Sequence, residues 1–330
     1  MTARFVRVIA MIAAVTCAAS CSAAANQAAS TETSPFPDTN VPLAQALDVR
    51  LEQARSAALD RGAEASIAVF DRTTSNYLEV GGDQQIETAS VAKLFIAEDL
   101  LYQDSRDERP LGDDDRTLMV AMLESSDDTA ANLLWDAAGG SDLVNRVAQR
   151  YSLTSTTAPY DGLWWNTETT ARDLITFYDG VLDDTAALGA DRINLIVDHL
   201  RQSTATAADG YDQRFGLPDA LFNEPVLAVK QGWMCCVSDQ WVHLTTGIVG
   251  EDNRFIVTVT TREDIQYQDD DNYGLIPDTS MTDATNDESA LHARDTITGV
   301  AQIIFPDGTV DEWSPSTPTT EKPVQEASGP

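Results

Sequence analysis

Strand-like segments occur only near the two ends of the globular part of this chain. A long block of helical pattern, roughly residues 112–224, separates them. Ala65 to Phe70 reads as a strand, Asp71 to Asn76 supplies turn residues, and Tyr77 to Val80 returns, which is a hairpin signal. Far downstream, Val226 to Val229, Trp241 to Val249 and Phe255 to Thr261 are rich in Val, Ile, Thr and Trp and read as three more strands. Strands at both ends can join in one antiparallel sheet, with helices against it and the middle block standing as a helical subdomain. The expected class is α/β in the α+β sense: an antiparallel sheet flanked by helices, plus an all-helical subdomain.

The helices have their own marks. Leu43, Ala46, Leu47, Leu51, Ala54 and Ala58 recur at helical spacing before Gly62. Val91 to Leu101 is apolar enough to be a buried helix, and Leu291 to Phe305 is a candidate closing helix. Breaks are expected at Gly139-Gly140, Thr154 to Trp165 and Thr204 to Pro218.

Both ends of the chain read differently from this domain. Arg4 and Arg7 precede a short apolar run, Val8 to Val15, too short to span a bilayer as a helix. Ala18-Ala19-Ser20-Cys21 then resembles a bacterial lipobox, with Cys21 as the lipidated residue, Cys17 as a weaker candidate, and ordinary cleavage and secretion as the alternative. The expected organisation is an export signal at 1–20, a flexible tether at 21–42, the domain at 43–305 and a disordered tail at 306–330. The expected location is extracytoplasmic, with the membrane engaged only through the lipid anchor. With 21 basic against 53 acidic residues, a net charge of −32 argues against nucleic acid.

Nothing in the sequence calls for a cofactor. His199, His243 and His292 lack metal-ligand spacing, and Asp269-Asp270-Asp271 lacks the rest of a calcium loop. The adjacent Cys235 and Cys236 bridge each other only with strain, so their redox state stays open at this level. A monomer is expected.

The chemistry is carried by lysines. The chain has 18 arginines but three lysines, Lys93, Lys230 and Lys322. A surface cation is equally well supplied by Arg, whereas losing a proton near neutral pH requires Lys. Lys322 sits in the tail. Lys93 follows Ser90 by three residues in Ser90-Val91-Ala92-Lys93, so a helix places both on one face, with Ser90 at the helix start. There the free N–H groups and the positive dipole end favour an oxyanion. Lys230 opens Lys230-Gln231-Gly232-Trp233 after an apolar strand, and a glycine there lets a ligand approach the backbone. Between them lies Ser125-Ser126-Asp127-Asp128.

These three elements, in this order, resemble the class A β-lactamase and penicillin-binding protein superfamily, over roughly residues 43–305. Met122 to Leu134 looks like the family's second-motif helix, and Thr169 to Leu174 like the segment after its active-site loop. The resemblance implies that Ser90 is acylated, Lys93 removes its proton, Ser126 relays a proton to the leaving nitrogen, and Lys230 supports Ser126 and attracts a substrate carboxylate. It further implies an oxyanion hole from the N–H groups of Ser90 and Trp233, and substrate contacts at Asp128, Gln231, Gly232 and Trp233. The implied substrates are β-lactams or D-alanyl cell-wall peptides.

Three departures stand out. Asp128 replaces the family's Asn, Gln231 replaces its Thr, and its deacylating Glu-x-x-x-Asn loop has no match. Asp161 and Glu168 are the candidate stand-ins for that missing acid. A serine hydrolase with slow deacylation is therefore expected; a cell-envelope binding protein that keeps the pocket without turnover is the alternative. A Ser-His-Asp hydrolase is disfavoured, because Gly-x-Ser-x-Gly is absent and no His sits in a motif.

Overall fold

The computed structural model describes residues 46–266 and 287–310. The export signal, the tether, Cys21, Asp269 to Asp271 and the tail beyond residue 310 lie outside the described residues.

The chain opens with helix α1 (Leu47–Asp60), which buries Leu47, Leu51, Ala54 and Ala58 at the expected helical spacing. The hairpin follows as β1 (Ala63–Asp71) and β2 (Asn76–Val80), and then a short β3 (Gln85–Glu87). A 3₁₀ turn at Ala89–Val91 leads into α2 (Ala92–Ser105). The helical block contains α3 (Asp113–Glu124), α4 (Asp128–Ala138) and α5 (Asp142–Tyr151). After β4 (Glu168–Thr170) it resumes as α6 (Ala171–Leu182), α7 (Ala190–Arg201) and the single turn α8 (Leu217–Ala220). Strands β5 (Leu227–Val237), β6 (Gln240–Val249) and β7 (Phe255–Asp264) and helix α9 (Glu288–Ile304) complete it.

The two strand groups form one antiparallel sheet in the order β2-β1-β7-β6-β5, as expected. The seam that joins the chain ends is β1 against β7, with Ala68 opposite Thr258. Eight of the nine β1 residues are buried, so both faces of this strand are covered. Helices α1 and α9 pack on each other and on the sheet, and α6 packs on β1 and β7.

Three details differ from the sequence reading. Strand β5 does not end at Lys230 but runs through Gln231-Gly232-Trp233 to Val237, because β6 offers a full ladder partner, Lys230 facing Thr246 and Cys235 facing Trp241. The stretch Met122 to Leu134 is not one helix: α3 stops at Glu124 and α4 starts at Asp128. Strands β3 and β4, three residues each, pair with one another and were too short to leave a periodic signal.

Helix α2 is the centre of the domain. Its residues from Ala92 to Leu101 are all buried, so it has no solvent face. Three of them carry charge-bearing groups: Lys93, Glu98 and Asp99. Glu98 accepts from Arg150 Nη2 at 2.5 Å and from Tyr151 Oη at 3.0 Å, while Asp99 accepts from Arg146 Nη2 at 2.6 Å and Arg150 Nη2 at 2.7 Å. Such pairing offsets the desolvation of the carboxylates and locks α2 to α5. On another side, Phe95 meets Phe177 of α6 edge-on at 4.9 Å between ring centroids. Phe95→Ala should therefore destabilise the protein by about 3–5 kcal/mol, the cost of a large aromatic removed from a close-packed core. Urea unfolding followed by tryptophan fluorescence checks it.

Candidate active site

The nucleophile candidate sits where β3 gives way to α2. Thr88 N–H donates to the Thr167 carbonyl at 2.8 Å, tying the turn to the segment before β4. Ala89 then takes a left-handed conformation, φ +43°, and Ser90 follows within the 3₁₀ turn. A left-handed non-glycine residue costs about 1–2 kcal/mol, which the surrounding packing must sustain. Strand β5 lies against this turn. A Cβ on Gly232 would come within 2.8 Å of the Thr88 carbonyl oxygen and 3.3 Å of the Val91 nitrogen, so glycine is what permits the approach.

Lys93 is the hub. It is fully buried, and its Nζ lies 2.9 Å from Ser90 Oγ, 3.0 Å from Ser126 Oγ, 2.6 Å from the Ser126 carbonyl and 2.6 Å from Asp128 Oδ1. Four oxygens surround a group that has three N–H bonds as an ammonium and two plus a lone pair as an amine. Burial pushes the Lys93 pKa below the usual lysine range, against the opposing pull of Asp128, Asp209 and Asp127. The Trp164 ring centroid lies 4.8 Å from the same Nζ.

The α3–α4 junction delivers Ser126. Its backbone is left-handed, φ +56°, which turns the chain between the two helices. Asp127 caps α4 by accepting the Ala130 N–H at 2.9 Å, so the capping task does not fall on Ser126. The Ser126 hydroxyl oxygen instead accepts from Lys93 and, at 2.8 Å, from Lys230 Nζ. With both lone pairs so engaged, its own O–H is left to donate. Lys230 is buried, donates also to the Gln231 carbonyl at 3.0 Å, and has its pKa driven well down by burial and by the neighbouring Lys93 charge.

Ser90, Asp128 and Trp233 line one open cavity of about 260 Å³, together with Trp164, Trp165, Asp209, Met234, Cys235 and Trp241. Gln231 does not face it. Its side chain is fully buried, donates to the Phe215 carbonyl and accepts from Thr245 Oγ1 at 2.8 Å, so the expectation of a substrate contact from this side chain is corrected. Neither stand-in for the missing acid reaches the cavity. Asp161 is exposed and holds Leu163 N–H at 3.0 Å and Asn166 Nδ2 at 2.7 Å, and Glu168 is exposed on β4.

Some members had no signal in the sequence. Asp209 comes from the irregular loop before α8, where no motif marks it. It accepts from the Tyr211 N–H at 2.9 Å, and burial together with the Asp128 charge pushes its pKa up. Cys235 and Cys236 form a disulfide with each other beside a bulge in β5. His243, by contrast, is a packing group: fully buried, with Nε2 2.8 Å from Tyr211 Oη and a pKa driven down to about 3 by burial and by Arg294.

The electrostatics can be read directly, since the chain has only three lysines to label. In a pH titration of lysines carrying a ¹³C label beside Nζ, the Lys93 and Lys230 signals, assigned by single substitutions, should titrate below the normal lysine range. In Asp128→Asn, loss of the paired negative charge removes support for the ammonium, so the Lys93 transition should move to still lower pH. An unmoved or raised Lys93 transition would contradict the assigned balance.

A model of the β-lactamase enzyme family matches residues 114–281 of this chain. A Mycobacterium tuberculosis protein named "Putative lipoprotein LppW" is 45% identical over 264 residues, covering 80% of this chain and 76% of that protein, and its Mycobacterium bovis counterpart matches equally. Among solved structures, a β-lactamase from Chitinophaga pinensis superposes with a TM-score of 0.58 at 11% identity, covering 78% of this chain and 98% of that one. PBP-A superposes with a TM-score of 0.57 at 19% identity, covering 78% and 96%, and an ancestral class A β-lactamase with 0.55 at 18%, covering 77% and 98%. At such identities the solved structures bear on the fold alone. The family model and the 45% identical relative reach further: this chain belongs to the β-lactamase enzyme family.

Proposed function

We propose that this protein performs serine acyl transfer on an amide-type carbonyl of the β-lactam or D-alanyl peptide kind, and that it releases the acyl group slowly. One observation carries the reading: a single buried amine, Lys93 Nζ, lies within hydrogen-bond reach of both Ser90 Oγ and Ser126 Oγ. As the neutral amine, Lys93 takes the Ser90 proton while Oγ attacks the carbonyl carbon. The oxygen of the tetrahedral intermediate falls beside the nucleophile's turn, where the N–H groups of Ser90 and Trp233 are the candidate donors; one such donor is typically worth about 10²–10³ in rate. As the C–N bond breaks, Ser126 passes its proton to the leaving nitrogen and is reprotonated from Lys93, while Lys230 holds the Ser126 oxygen in place.

Release needs a different part, a base that activates water against the ester. Asp161 and Glu168 do not line the cavity, and an indole, Trp164, stands beside Lys93. These features support a long-lived acyl-enzyme. A second reading, a cell-envelope binding protein with an idle nucleophile, is favoured by one contact: the 2.6 Å approach of Asp128 to Lys93, which stabilises the ammonium.

Intact-mass analysis after exposure to a fluorescent penicillin and to an uncharged fluorophosphonate tests both readings. The expected result is one adduct per chain on Ser90, absent in Ser90→Ala. In Lys93→Arg, labelling should fall by on the order of 10²–10⁴-fold, because a guanidinium cannot accept the proton. A chromogenic β-lactam should give a burst of about one equivalent and then turnover below ~10 s⁻¹, the middle of the usual enzyme range. Steady turnover above that would refute slow release, and no adduct with either probe would favour the binding protein.

We further propose a lipid anchor at Cys21. The lipobox-like segment supports it, as does the name of the 45% identical relative. No helix among the described residues is long and apolar enough to cross a membrane. A fatty-acid probe should label the membrane fraction of cells making the wild-type chain, and Cys21→Ala should lose that label; persistent label would move the anchor to Cys17.

A further inference from the structure

The cavity beside Ser90 has an unusual charge balance for a site in which a carboxylate would be welcome. Its charged lining residues, among those described, are Asp128 and Asp209, and neither Lys nor Arg lines it. The two lysines beneath it are buried and committed: Lys93 to Ser90, Ser126 and Asp128, and Lys230 to Ser126 and the Gln231 carbonyl. A carboxylate placed at the Asp128–Asp209 wall would therefore stand beside two acids with no uncommitted side-chain cation among the lining residues. Like charges brought together in a partly desolvated site repel strongly.

The same walls suit a cation. Trp165 and Trp233 line the cavity beside these acids, and an indole is the best aromatic partner for an ammonium or guanidinium. Trp233 is held rigidly, stacked on Tyr211 with centroids 4.8 Å apart and planes 8° from parallel. Asp209 is an acid held in partial burial close to a second acid, Asp128, and its support comes from the Tyr211 N–H, the Lys93 charge and the Trp233 side chain. An arriving cation relieves that repulsion. Beyond the site, the net charge of −32 gives the molecule a long-range field that draws cations and repels anions.

We propose that the acyl donor for Ser90 carries a cationic group, an alkylammonium or guanidinium, received by Asp128, Asp209 and the indoles of Trp165 and Trp233, and that donors with a carboxylate in the place of that group react more slowly. This rests on the acyl-serine reading and narrows its substrate class. The cation makes no covalent bond; it positions the carbonyl over Ser90.

Three aryl phosphonates matched in shape test it, bearing a trimethylammonium, an isosteric tert-butyl or a carboxylate group. Each reacts by forming a bond from Ser90 Oγ to phosphorus as aryloxide leaves, so the readout does not depend on deacylation. The Ser90 proton passes to Lys93. The labelling rate constant should be highest for the cation, at least about tenfold above that for the neutral probe, and lowest for the carboxylate. The cation-to-neutral ratio should shrink as salt is raised and in Asp209→Asn. Equal rates for the cationic and neutral probes, or a faster carboxylate, would overturn the proposal. If no probe labels Ser90, the acyl-serine reading fails by itself. The charge preference is then read from equilibrium binding of the unreactive phosphonic amides by tryptophan quenching, where the same order supports the proposal and equal affinities overturn it.

Discussion

The site depends on a single desolvated amine. Lys93 Nζ joins three parts of the chain that are distant in sequence: the turn at Ser90, the α3–α4 junction at Ser126 and Asp128, and, through the Ser126 hydroxyl, strand β5 at Lys230. Its position on α2 makes this possible. That helix has no solvent face from Ala92 to Leu101, so any lysine on it must be buried and hydrogen-bonded or be lost. Burial favours the neutral amine, and Asp128 favours the ammonium. The chemistry proposed for Ser90 turns on this opposition, because only the amine has a lone pair for the serine proton.

Backbone shape matters as much as the side chains. Ala89, which adjoins Ser90, and Ser126 both sit in left-handed conformations that ordinary residues avoid. Gly232 allows β5 to lie closer to the nucleophile's turn than any side chain would permit. The rigidity behind these choices comes from elsewhere: the Glu98–Arg150 and Asp99–Arg146 pairs clamp α2 to α5, and the Phe95–Phe177 contact holds it to α6. Core packing and site geometry are thus the same set of contacts seen from two sides.

On the proposed acyl-serine reading, acylation and release draw on separate groups, and the chain offers candidates for only the first. The hydroxyls of Ser90 and Ser126 both lie within 3.0 Å of the Lys93 amine nitrogen. On the release side, the acids flagged in the loop before α6 are turned outward, and aromatic rings take up the cavity wall. The remaining acids in the cavity, Asp128 and Asp209, sit where they set its charge and the kind of ligand it admits.

The sequence alone indicated the antiparallel sheet built from both ends of the domain, the helices against it and the grouping of Ser90, Lys93, Ser126 and Lys230. Strands at the two ends of the domain have to find each other, and β1 against β7 is that pairing. Scarce lysine at fixed spacing from serine is readable because arginine serves for nearly every ordinary cation, and Ser90, Lys93, Ser126 and Lys230 do come together. The alternation along Lys230-Gln231-Gly232 could not say which side chain faces the cavity, and Gln231 proved to be engaged beneath the sheet by Phe215 and Thr245. Asp209, the indole beside Lys93 and the Cys235–Cys236 bridge belonged to the tertiary structure alone. The physical reason is the range of the interactions. Periodicity and local motifs record what a residue does with neighbours a turn away, whereas the charge and lining of a cavity are set by loops that meet only after the chain has folded.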